Sequence, residues 1–161
     1  MRRRARDLDR CDEGQSLVEF GLVAPVLLVV LTGIFSFGII LTQYEVLTDA
    51  TSAGARAFAL SRLQTTPALA ASDPCAYAVS VLEAAAPNLI SSSLTFSIAY
   101  TNNQGSSPVT TTYTNTCTSL SGNMNANDQV QITATYPVTP MVFQWASNSL
   151  TMSSVAVEQV N

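Results

Sequence analysis

Chemistry in this chain has to be done without imidazole. The sequence contains no histidine, so a Ser-His-Asp arrangement is excluded, and the commonest metal ligand and general base is missing. No G-x-S-x-G offers a nucleophile elbow. Glu83, Asp128 and Glu158 are isolated acids that a surface position accounts for; only the fold could assemble a carboxylate pair. Asn and Asp residues between Asn123 and Asp128 carry oxygen atoms suited to calcium, but the EF-hand spacing is absent and a polar turn is the better account. Tyr100, Tyr113, Tyr136 and Trp145 point to core or cross-strand packing rather than to an aromatic binding surface. No catalysis, cofactor or metal is therefore expected. One carboxylate does stand out. Glu19, in the stretch Gly14-Gln15-Ser16-Leu17-Val18-Glu19-Phe20, sits at the lip of a long apolar run. An ionised group inside a bilayer is costly and usually implies a partner or a function, whereas in the headgroup region near a helix N-terminus it is only mildly favourable.

The element that carries Glu19 is a membrane helix. From Phe20 to Tyr44 there are 25 residues without a formal charge, which as a helix would reach about 37 Å and cross a hydrocarbon core of about 30 Å. A secretory signal would have a shorter apolar core ending in a small-residue site; here the run is longer and continues into polar Leu41-Thr42-Gln43. Pro25 and Gly33 are tolerated in membrane helices, and Pro25 could kink this one. Five of the seven basic residues are Arg2, Arg3, Arg4, Arg6 and Arg10, ahead of the run; only Arg56 and Arg62 follow it. That bias leaves the N-terminus in the cytoplasm and exports the rest. It does not resemble a nucleic-acid face, which needs basic residues spread over a folded surface. The overall charged fraction, 11% against roughly 25% in soluble proteins, suits the same topology. Cys11 then lies on the cytoplasmic side, while Cys75 and Cys117 lie in a compartment where they can pair. Their disulfide would close a loop worth very roughly 3–4 kcal/mol in the chain-entropy model; the alternative is two buried thiols.

Beyond the membrane the helical pattern persists. Leu47, Ala50, Gly54 and Phe58 recur at spacings of three and four, with Glu45, Asp49, Arg56 and Arg62 largely elsewhere. One helix from about Ser16 to Leu63 is expected, on the order of 70 Å long. Ala50, Ala53, Gly54 and Ala57 allow close approach of another helix or a sheet, from the chain's own domain or from a second molecule. Residues 64–72 read as a linker. Asp73-Pro74 reads as the cap and first position of a second helix, closed by Pro87-Asn88. Four short strands follow, at 94–100, 109–114, 129–138 and 150–160. The third alternates plainly, Val130, Ile132, Ala134 and Tyr136 on one face and Gln131, Thr133 and Thr135 on the other. Helices followed by strands imply an α+β fold, with a short antiparallel sheet packed on a helix.

These residues together resemble a family. Gly14, a polar pair, apolar residues and Glu19-Phe20 leading into an apolar helix look like a type IV prepilin-type signal, in the variant found in Flp, or tight-adherence, pilins. The stretches VEFGLVAPVLLVVLTGIFSFG and ATSAGARAFAL are similar to the TadE-like minor pilins, or pseudopilins, of that system; the specific likeness covers about Gly14 to Leu60. The resemblance implies a cut between Gly14 and Gln15 by a prepilin-type membrane peptidase, which makes Glu19 the fifth residue of the mature chain. It also implies that Glu19 pairs with the N-terminal amine of a neighbouring subunit. The expected organisation is a cleaved leader at 1–14, a long helix at 15–63 with its membrane span at about 20–44, and an exported α+β domain at 64–161. Major Flp pilins are mostly the N-terminal helix; the roughly 100 residues that follow it here favour a minor pilin or assembly pseudopilin, partnered by other pilin subunits and the assembly machinery. The competing reading is a single-span membrane protein whose exported domain binds a ligand or surface, neither processed nor polymerised.

Overall fold

The computed structural model describes residues 3–63, 72–105, 107–120, 123–139 and 149–160, with side chains from Gly14 onward. The expected linker lies outside the described residues except for Ser72, and so does Trp145. Helix α1 runs Arg3–Ser61 without a break at Pro25 or Gly33. Helix α2 is Pro74–Ala85, and its start follows from local chemistry: Asp73 is in extended conformation and its side chain accepts from the backbone N–H of Ala76, with Pro74 at the first helical position. Its end is equally local, the Ala86 N–H turning back to the Glu83 carbonyl just before Pro87.

Four strands follow: β1 (Thr95–Asn102), β2 (Val109–Tyr113), β3 (Gln129–Val138) and β4 (Leu150–Gln159). They form one antiparallel sheet in the order β2-β1-β3-β4, so β3 occupies the edge of β1 that the β1–β2 hairpin leaves free. Register follows from period-two patterning. Ile98 faces Ile132, which faces Ala156, and Tyr100 faces Val130. Along β3, Val130, Ile132, Ala134, Tyr136 and Val138 are buried. The opposite face is rich in Thr and Gln, with Val155 and Val157 of β4 exposed among them, and Thr101 and Thr110 are hydrogen-bonded across strands at 2.9 Å. The fold is therefore α+β with an antiparallel sheet, as the helix-then-strand order implies.

The chain divides into two compact units, residues 1–39 and 40–161. In the first, the described side chains of Leu17, Phe20, Leu22, Val26, Leu28 and Phe35 are each more than half exposed. Burying such a side chain is worth about 1.5–3 kcal/mol, so this surface is unsuited to water. It is the one helix among the described residues that is long and apolar enough to cross a membrane, and it points to a single-pass membrane protein. The second unit begins inside the helix, at Ile40, and not at residue 64 where the composition changes. The reason is the stripe Leu47, Ala50, Gly54 and Phe58, which is buried throughout. Phe58 meets Tyr100 of β1 with ring centroids 6.2 Å apart. Gly54 faces α2, where an added Cβ would come within 3.2 Å of both the Ala78 carbonyl oxygen and Leu82 Cβ. The small-residue face thus serves the chain's own domain. Gly54→Leu should overpack this contact and lower stability by about 1–3 kcal/mol, read by denaturant unfolding of the full chain in detergent; an unchanged midpoint would contradict the packing.

Candidate functional site

Two groups of residues carry candidate function, one in each unit. On α1, Gly14, Gln15, Val18, Glu19, Leu22 and Val23 line an open flank of the helix. Nothing among the described residues requires glycine at position 14. Among the described residues a Cβ there would meet nothing within 4 Å, and its φ is not in the left-handed range. In a helix interior glycine costs about 1 kcal/mol relative to alanine, and a Cβ at Gly21, Gly33 or Gly38 of the same helix would meet equally open surroundings among the described residues. Glu19 has no ion-pair partner among the described side chains, and Phe20 beside it is 71% exposed. Gly33 likewise has open space around it, and Pro25 is exposed on the helix surface. Residues 14–56 match the family model described as TadE-like protein. This segment is TadE-like. No curated protein and no solved structure matches the chain.

The TadE-like segment begins at Gly14 and ends at Arg56. It contains Glu19, the apolar helix and the buried Ala50 and Gly54, but stops before Ala57, Cys75 and Cys117. It also crosses the boundary between the two compact units, since Leu47 to Arg56 belong to the second.

In the second unit Cys75 and Cys117 are joined as a disulfide, with Cα atoms 5.4 Å apart. Asp73 is built into the same joint. Its Oδ1 accepts from the Ala76 N–H at 3.1 Å, capping α2, and from the Cys117 N–H at 2.9 Å. One carboxylate oxygen thus ties the helix start to the segment that brings Cys117 back across 42 residues. The side-chain atoms of Asp73, Cys75 and Cys117 lie within 4.8 Å of one another, close enough to suggest a metal site. Their chemistry is already accounted for: the two sulfurs are bonded to each other, and the carboxylate is committed to two N–H donors.

Asp128 corrects the expectation of a surface acid. It is fully buried. Its carboxylate accepts from the Tyr100 hydroxyl, from the Asn103 N–H at 2.9 Å and from the Asn125 N–H at 3.0 Å. Its own backbone carbonyl accepts from Val160 at 2.8 Å, while Asn127, in the left-handed region at φ 74°, donates to the Val160 carbonyl at 2.9 Å. The Asn123–Asp128 stretch is thus a turn clamped around a buried anion, and the surrounding N–H and O–H donors suit a carboxylate rather than a cation. The sequence carried no local signal for it: only the sheet register, which pairs Tyr100 with Val130, two residues beyond Asp128, brings the two side chains together.

Burial pushes the Asp128 pKa up, but the hydrogen bonds from Tyr100, Asn103, Asn125 and Gln104 outweigh it and leave the carboxyl below its ordinary value. Burial and the bond to Asp128 together raise the Tyr100 hydroxyl well above its usual range. The signs are opposite. The contribution of Asp128 is present above its unfolded pKa of about 4 and lost as pH falls through the lower folded value, whereas that of Tyr100 is present below about pH 10 and lost above it. Tyr100→Phe should therefore cost about 1.5–3 kcal/mol at neutral pH, the worth of a hydrogen bond to a charged group. It should also flatten the loss of stability above about pH 10. Urea unfolding across pH checks both; wild-type stability and an unchanged alkaline limb would refute the clamp.

Proposed function

We propose that the chain is a membrane-anchored minor pilin or pseudopilin that contributes to assembly of a Flp, or tight-adherence, pilus used in surface attachment. The observation that carries the reading is the coincidence at Gly14. The TadE-like match starts there, the position has no packing or backbone requirement for glycine, and an exposed apolar helix with a single carboxylate near its start follows. A Cβ at Gly21, Gly33 or Gly38 would meet equally open surroundings among the described residues, but Gly14 is the glycine that opens the matched segment and precedes Glu19-Phe20, which supports recognition by a prepilin-type peptidase that cuts between Gly14 and Gln15. The Arg-rich leader holds that bond at the cytoplasmic face, and the second unit is the exported domain. The protein is a structural component rather than an enzyme, in keeping with a chain that contains no histidine.

Glu19 is the assembly residue. Once the leader is removed, the new amine of Gln15 is a cation at the membrane surface. A carboxylate of a neighbouring copy, itself without an ion-pair partner among the described side chains, is a fitting counter-ion. In a medium of low dielectric such a pair is far stronger than in water, and each charge relieves the cost of holding the other near lipid. Phe20, Pro25 and Gly33 belong to the same lipid- and neighbour-facing surface. The apolar side chains around them need either acyl chains or other subunits.

Two variants separate processing from docking. Gly14→Arg should leave the leader in place, seen as a slower-migrating band in membranes that contain the peptidase; normal processing would rule out recognition at Gly14. Glu19→Val should leave membrane insertion intact, since it adds apolar surface, but abolish or sharply reduce surface filaments counted by electron microscopy. Wild-type filament numbers would remove Glu19 from assembly.

A further inference from the structure

In the order β2-β1-β3-β4, strands β2 and β4 are the two edges of the sheet, and neither has a second strand partner among the described residues. A strand edge presents unpaired N–H and C=O groups, which folded proteins blunt with lysine, proline, a bulge or an inward-pointing charge. These edges carry little of that protection. Neither strand contains Lys, Arg or Pro, and the register runs without a bulge along the whole of β2 and of β4. Glu158 is the one charged residue in either strand, and it is engaged with Arg56 of α1 at 3.5 Å. Val109 of β2 and Leu150, Val155 and Val157 of β4 are each more than half exposed.

Strand direction selects the occupant. β1 pairs antiparallel with both β2 and β3, and β3 pairs antiparallel with β4, so the two edge strands run in opposite directions. A second copy displaced sideways in the plane of the sheet, without rotation, brings its β2 beside β4 of the first as an antiparallel pair, the more stable kind. Pairing β4 antiparallel with β4 instead needs a two-fold axis normal to the sheet. Within the second unit α1 packs on the inner face of that sheet, where Phe58 meets Tyr100, and such an axis would reverse the helix. Copies anchored through α1 in one membrane share its direction. We infer that β4 of one copy pairs antiparallel with β2 of a second copy, so that the sheet continues from chain to chain.

The side chains of the seam agree with this pairing. With Val155 set against Thr112 and Val157 against Thr110, the outward positions on both sides are β-branched, the type that suits a pleated surface. β2 carries no charge, and Glu158 keeps Arg56 beside it, so no like charges meet. With four strands to a copy, at about 4.8 Å each, neighbouring copies stand about 19 Å apart. Packed helices lie roughly 8–10 Å apart, so the sheets make the contact and α1 does not. The seam is as short as β2, which makes it reversible and dependent on the concentration that a shared membrane supplies. Anchoring in one membrane is its sole premise; neither removal of the leader nor growth of a filament is required.

The test uses two differently tagged full-length copies in native membranes, both carrying Cys11→Ser, one with Val157→Cys and the other with Thr110→Cys, joined by a short bis-maleimide. Directly opposite Cβ atoms in an antiparallel pair are about 5 Å apart, so the mixed pair should link several-fold more than either variant with itself. A single chain carrying both substitutions should give a ladder beyond the dimer, because every copy then offers both edges. Val157→Cys that links to itself as readily as to Thr110→Cys overturns the inference, as does a mixed pair no better than background or a double variant that stops at the dimer. Cys75 and Cys117, buried and bonded to each other, should stay unreactive to maleimide until reduced, which certifies folding in each variant.

Discussion

From Phe20 to Leu41 the apolar side chains of α1 turn outward on every side, and the rest of the structure is arranged around that fact. A helix with no polar face has nowhere to bury itself in water, so the first unit depends on lipid or on neighbouring helices for stability. The same helix changes character at Ile40, where the second compact unit begins. From Leu47 onward one stripe is buried against α2 and the sheet, and the opposite stripe carries charge. A single element is thus a membrane anchor along one stretch and the central support of a folded domain along the next.

That support must resist the loosening expected of a small domain whose helix contributes Ala50, Gly54, Ala55 and Ala57, residues with little surface to bury. The domain compensates with two directional devices. The disulfide of Cys75 and Cys117, with Asp73 bridging its backbone, pins the start of α2. The buried Asp128 gathers Tyr100, Asn103, Asn125 and the end of β4 around one carboxylate. Removing a partner from such a group is costlier than its net worth suggests, because a buried charge is left short of donors.

Features set by local periodicity were legible before folding. β3 was readable because its alternation is strict over ten residues, and α2 because Asp73-Pro74 and Pro87 mark both ends. The TadE-like segment was readable because its signal is contiguous in sequence. Asp128 was not, since its partners at Tyr100 and Asn103 come from the far side of a hairpin and only sheet register brings them together. Likewise nothing in the order of residues near Gly54 says whether its open side meets another molecule or α2; that depends on where Ala78 and Leu82 lie. The start of the second compact unit at Ile40 was not legible for the same reason, because a change of composition at residue 64 does not record that Leu47 and Phe58 belong to the core.

The central claim is that Gly14 is glycine for an enzyme's sake and that the working protein starts at Gln15. The most direct measurement is the intact mass of the wild-type chain isolated from its native membrane. The account predicts a species lacking residues 1–14; a chain that retains them in the presence of an active prepilin-type peptidase would contradict it.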